Sequence, residues 1–280
     1  MLRDNVLRDP NKSRSFPIVN SMRPVEDYDP SLRNDAVKSF SLILNFLQSI
    51  EGKPSAFTDA IPDFKTLDLE KQIPDENHKN LLLVFSPGLT GAKFSYREDR
   101  KFVITIFVDG VFNWDREIVK NISEWFIKRR SSFVHEFVHY LDIKEIKDLD
   151  TFTGVDRKNL VSYSNNPIEL RGHLQQVLHD FELDLEYKTS NNYKKFKQLE
   201  KTTRDGKTKE GFIKNIKSVY FPSDFLAHLS KENEQKINKA LSNKYYEINT
   251  TNEWLNAVTE DIVLETIKIL LESVRIGSAK

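Results

Sequence analysis

The stretch SSFVHEFVHYLDI, residues 131–143, sets two histidines four apart in an otherwise apolar run, with a glutamate directly after the first. Residues i and i+4 of a helix share one face a single turn apart, so His135 and His139 point the same way. Phe133, Val134, Phe137, Val138 and Leu141 surround them and predict a largely buried helix. Burying two imidazoles and a carboxylate without partners would be costly. A metal ion removes that cost, because imidazoles at this spacing can meet one Zn²⁺ at ~2.0–2.1 Å each. Glu136 then points to the edge of the site, where it can take a proton from activated water without itself ligating. Whatever fold the chain adopts must bring a third ligand to this helix and leave a fourth position for water.

The sequence contains no cysteine, so disulfide scaffolds, thiolate sites and cysteine nucleophiles are excluded, and any ligand is a histidine or a carboxylate. The candidate segment lies thirty residues on, in YSNNPIELRGH. Glu169 sits near the start of a predicted helix, with His173 one turn later on the same face. Asn166 as N-cap, Pro167 at the first helical position and Glu169 at the third would also read as an ordinary capped helix start. Gly172 on that face leaves room for close approach to another helix, while Leu170, Leu174, Val177, Leu178, Phe181 and Leu185 form an apolar face that orients Glu169 and His173 together. Glu169 is the favoured third ligand and His173 its competitor, since imidazole suits zinc equally well. Asp142, one turn past His139, could orient an imidazole from behind or simply be solvated. Tyr163 could donate to an oxyanion or merely pack in its loop. His78, His179 and His228 show no partner pattern.

Around these segments the chain of 280 residues is long enough to bury a real core, with 39% hydrophobic and 11% aromatic residues to build it. Residues 1–33, rich in Pro, Asn and Ser, read as an extended arm. A helix follows in NDAVKSFSLILNFLQSIEG, with Val37, Phe40, Leu44 and Leu47 as its stripe and Gly52 as its stop. Residues 53–78 read as loop. NLLLVFS is a short strand, AKFSYRED and KFVITIFVDG form a β-hairpin, and residues 115–143 are helical with a break near Lys128-Arg129-Arg130. Residues 188–210 are polar and basic and read as an exposed linker, and 211–280 as a helical C-terminal subdomain that includes Trp254, Ile262 and Leu271. The core thus spans 34–187, and the fold class is α+β.

The motif HEFVH with a downstream glutamate, in the context HEFVHYLD and YSNNPIE, resembles the zincin metallopeptidases of the gluzincin type, in particular small phage and bacterial ones, over residues 100–187. After His139 the chain reads YLDIKE, without the Gly and His of the longer metzincin motif. The resemblance implies a small mixed or antiparallel sheet over the helix that carries the histidines, with an edge strand that binds extended peptide; KFVITIFVDG fits that strand. It also implies one zinc ion per chain held by His135, His139 and Glu169, with Glu136 as general base and a peptide or protein as substrate. The sequence departs in having His173 where many gluzincins place a carboxylate. The rival reading is a zincin-fold scaffold or virion component whose metal is not catalytic. The 42 basic residues balance the 42 acidic ones, so no nucleic-acid partner is expected, although Lys188–Lys209 is locally basic. The N-terminal stretch lacks the apolar core of a signal peptide and no apolar run is long enough to span a bilayer, so no membrane association is expected. The expected location is the cytoplasm, that of a host cell or a virion if a phage encodes the chain.

Overall fold

The computed structural model describes residues 31–251 apart from 90, 98–100, 112, 145–158 and 189. The arm up to residue 30 and the predicted helical residues around Trp254–Leu271 lie outside the described residues.

The chain is α+β. Helix α1 (Ser31–Ile50) buries Leu32, Ala36, Phe40, Ile43 and Leu47 at spacings of three and four, while Val37 and Leu44 of the expected stripe are only half-buried, so the helix is turned from the predicted face. It starts three residues earlier than the arm boundary predicts, because Leu32 and Arg33 are themselves buried. The expected loop at 53–78 is instead short ordered pieces: α2 (Pro54–Ala60), β1 (Thr66–Asp68) and α3 (Leu69–Gln72). Pro54 opens α2 where a proline lacks nothing it needs, and Asp68 caps α3 by accepting from the Lys71 amide. Segments this short show no periodicity, which is why they read as loop.

Strands β2 (Leu81–Pro87), β3 (Gly91–Tyr96) and β4 (Phe102–Val108) complete a four-stranded mixed sheet in the order β1-β2-β4-β3. β2 and β4 pair in parallel at its centre, where both are nearly continuous apolar runs, and β3 pairs antiparallel to β4 as the predicted hairpin. KFVITIFVDG, expected as the edge strand, is therefore interior, because β2 and β3 pair with it on both sides, and the edge falls to β3. Helices α4 (Trp114–Ile127) and α5 (Arg130–Ile143) are separated at Lys128 and Arg129, as expected. α5 packs under β3 and β4, and Phe40, Phe126, Phe133 and Phe137 interlock between α1, α4 and α5 with ring centres 4.6–5.8 Å apart.

The second half is helical: α6 (Leu160–Ser164), α7 (Pro167–Tyr187), α8 (Asn191–Thr202), α9 (Lys209–Tyr220), α10 (Ser223–Ala227) and residues 231–251. The predicted linker at 188–210 is corrected here. Ser190 caps α8 by accepting from the Tyr193 amide at 2.9 Å, and Phe196 is buried against Phe181 and Phe212. One apolar anchor among so many lysines hid the helix from a pattern search. The turn to α9 is close-packed: a Cβ on Gly206 would lie 2.5 Å from the Glu200 carbonyl, and one on Gly211 1.8 Å from that of Asp205.

Two hydrophobic cores result. One joins the sheet to α1, α4 and α5; the other is built by α7, α8, α9, α10 and Ile237, Ala240 and Leu241. Helix α7 is the wall between them, giving Ile168 to the first and Leu170, Leu174, Val177, Leu178 and Phe181 to the second. Arg33 of α1 donates to Gln175 at 3.1 Å and Glu182 at 2.8 Å on α7, and Lys244 also pairs with Glu182. No helix among the described residues is long and apolar enough to cross a membrane.

His179 of α7 is buried beside Arg130 and Arg33, and burial, then those two charges, push its pKa down to about 3. In the unfolded chain it titrates near ~6.5. Between those values the unfolded state alone takes up the proton, so folding stability falls as the pH drops from about 6.5 toward 3. Denaturant titrations of wild type and His179→Gln across that window should differ by a slope approaching ~1.4 kcal/mol per pH unit, steeper in the wild type.

Candidate metal centre

Helices α5 and α7 cross with almost nothing between them. Gly172 makes this possible: a Cβ there would lie 2.6 Å from Cε1 of His139 and 3.0 Å from Cε1 of His135. Both imidazoles therefore lie against the backbone of α7. One turn back along α7, Glu169 reaches into the same space. Asn166 holds that turn, its side chain accepting from the amides of Ile168 at 2.9 Å and Glu169 at 3.4 Å. The cap leaves the Glu169 carboxylate free to face α5, so the two readings of Asn166-Pro167-Ile168-Glu169 are compatible.

The Oε2 atom of Glu169 is 3.3 Å from Nε2 of His135 and 3.4 Å from Nε2 of His139. With bonds of ~2.0–2.1 Å, neighbouring donors of a tetrahedral zinc site stand ~3.3–3.4 Å apart, so these separations fit a shared ion. All three residues are buried, yet Nδ1 of both rings and Nε2 of His139 have no hydrogen-bond partner. A cation shared with Glu169 would supply the partner that His139 Nε2 lacks; the two Nδ1 atoms point away from that position and are not explained by it. The charge balance agrees. Burial alone would raise the Glu169 carboxyl, but His135 and His139 hold it far below the usual carboxylate range. Burial likewise opposes charge on His139, but its contact with Glu169 and the charge of Glu136 raise it overall. Two buried carboxylates here demand positive charge, from a proton or a metal.

Glu136 stands apart from that triad. Its Oε2 lies 4.0 Å from His139 Nε2 and accepts the backbone N–H of Phe94 at 2.9 Å. β3 is the sheet's edge, and the bond from the Arg97 amide to the Lys101 carbonyl fixes the alternation of its ladder to β4. Residues 92, 94 and 96 consequently turn their amides away from β4, and Glu136 takes one of them. That strand-to-glutamate link had no signal in the sequence, because a backbone donor carries no residue identity.

His173 also arrives at the site. Its ring centre is 4.5 Å from that of His135 and 4.2 Å from Phe225 of α10, and its Nε2 is 3.0 Å from the Tyr163 hydroxyl of α6. Donor atoms of His135, Glu169 and His173 lie within 4.8 Å of one another, as do those of His135, Glu136 and His139. Glu169 is the carboxylate that approaches both α5 histidines, at 3.3 and 3.4 Å. Asp142 is buried and paired with Arg171 of α7; neither imidazole donates to it, and it acts on His139 through charge. Tyr163 is linked to the triad through His173. Arg171 and Phe225 were not singled out from the sequence: an arginine in a helix carries no partner label, and Phe225 comes from the far half of the chain. His78 bonds the Ile73 carbonyl at 2.7 Å, away from this cluster.

Comparison with protein-family models, with curated proteins and with solved structures finds no match to this chain.

Gly172→Ala should separate α5 from α7. Overpacking of this kind costs ~1–3 kcal/mol, more than the ~1 kcal/mol that alanine gains over glycine in a helix. A lower melting temperature is the expected result, and, if the cluster takes zinc, at least tenfold weaker binding by competitive titration.

Proposed function

We propose that the chain is a zinc-dependent peptidase of the zincin type, with His135, His139 and Glu169 holding the metal. The observation that carries this reading is the convergence of both histidine Nε2 atoms on one Glu169 oxygen at tetrahedral-edge separations, with Glu136 beside but outside that triad. A zinc ion held there supplies Lewis acidity, acidifying water and polarising a carbonyl.

The protein groups divide the remaining work. Glu136 accepts the proton of the attacking water and passes it to the leaving amine. The Phe94 amide fixes the orientation of that carboxylate. The outward edge of β3, with the Ala92 backbone groups and the Phe94 carbonyl, is open to an extended peptide, so a substrate strand would add antiparallel or parallel to β3 and run past Glu136. Tyr163 and His173 form a coupled pair of hydrogen-bonding groups on the α7 side, placed to steady a developing oxyanion. A mixed sheet with an edge strand above the histidine helix supports the zincin comparison.

One observation favours the rival of a non-catalytic metal in a scaffold protein. His173 stands near enough to His135 and Glu169 to become a fourth protein ligand, which would close the site. The two readings diverge in mutants. On the peptidase reading the purified protein carries about one zinc, His139→Ala abolishes it, and Glu169→Ala weakens it strongly while His173→Ala does not. Glu136→Gln keeps zinc and fold but lowers peptide cleavage by ~10²–10⁴-fold. Zinc lost on His173→Ala, together with a wild type that cleaves no member of a peptide library, would establish the scaffold instead.

A further inference from the structure

The charge of this chain is neutral overall but not evenly spread. Residues 188–209 hold eight lysines and arginines against two acidic residues. Because α8 and the turn after it are ordered, these cations are held in a fixed array. The turn is locked by the Gly206 amide to the Thr203 carbonyl at 2.9 Å and the Thr208 amide to the Asp205 carbonyl at 3.0 Å, as well as by the two crowded glycines.

Elsewhere the chain's buried cations are neutralised: Arg33 and Lys244 by Glu182, Arg171 by Asp142. In this segment only Lys197 and Lys209 form ion pairs, with Glu200 and Glu210. Lys188, Lys194, Lys195, Lys201, Arg204 and Lys207 have no acidic partner among the described residues. Two open hollows run along the array, of about 550 and 660 Å³, with Lys201 on the rim of both. Tyr193 lines the first beside Lys194, and Tyr245 lines the second beside Arg204. The two hollows meet at Lys201 and hold an aromatic ring each; the one acidic side chain lining them, Glu200, is paired with Lys197.

We infer that this α8–α9 face binds single-stranded nucleic acid, with phosphates along the lysines and bases against Tyr193 and Tyr245. Cationic grooves interleaved with aromatic rings suit single strands, whose unstacked bases have a free face. A duplex would hide its bases and leave the tyrosines unused. An acidic peptide fits less well, since its carboxylates would use the cations but bring no base to the ring in either hollow. The neutral net charge that argued against such a partner averages this face with an acidic remainder. Lys188 lies nineteen residues along α7 from Glu169, about 28 Å at 1.5 Å per residue, so this surface is separate from the metal centre and independent of the peptidase reading.

Fluorescence anisotropy with a labelled oligothymidine of about 20 nucleotides tests it, beside a duplex and a polyglutamate of equal length. The expected result is binding to the single strand that weakens on the order of 100-fold between about 50 and 200 mM salt. Lys194→Glu with Lys201→Glu should weaken it more than about tenfold with an unchanged circular dichroism spectrum, as both side chains are exposed. Tyr193→Ala should weaken the single strand several-fold and leave duplex binding alone. Polyglutamate bound as tightly as the oligonucleotide, duplex preferred over single strand, or indifference to the double charge reversal would each overturn the assignment.

Discussion

The closeness of α5 and α7 is the constraint on which the rest depends. Two helices ordinarily stand 8–10 Å apart because side chains separate them. At Gly172 there is no side chain, and the rings of His135 and His139 occupy the place where a Cβ would be. Only this contact lets the short carboxylate of Glu169 reach both imidazoles at once. A longer gap would leave three polar groups buried and apart, each carrying its own desolvation penalty.

Charged pairs set the helices around that contact. Arg171 to Asp142 ties α7 to α5 a few residues from His139 and Glu169, and Arg33 and Lys244 meet on Glu182 of α7. Buried ion pairs add little net stability once desolvation is counted, but breaking one is costly. Their effect is on register: α7 cannot slide or rotate against α5 or α1 without stranding a charge. The aromatic interlock of Phe40, Phe126, Phe133 and Phe137 supplies the non-directional part of the packing.

Much of this was legible in the residues. The existence of α1, with Phe40 and Leu47 on its buried face, the β3–β4 hairpin, the break at Lys128-Arg129 and the role of Gly172 as a point of close approach follow from periodicity and from the one residue without a side chain. The pairing of His135 with His139 followed from spacing, and the absence of cysteine left Glu169, with His173 as competitor, to stand beside them. What escaped shares a cause. α2, β1 and α3 are too short for a period to show, α8 has a single buried anchor, and Phe94 contributes a backbone N–H that any residue would have supplied. Asp142 was visible as a neighbour of His139, but its partner Arg171 was not, because pairings between helices are decided by the tertiary fold.

The position of α7 between two cores has a thermodynamic side. Ile168 packs in the first core and Leu170 in the second, so the turn that carries Glu169 straddles both. A cation shared by Glu169 and the α5 histidines would then be bound only by molecules in which both halves are folded. Its binding free energy becomes linkage between them, converting two cores that could melt separately into one cooperative unit. Chelation in such a molecule would act as more than loss of a cofactor: it would uncouple the halves and let the helical one open first.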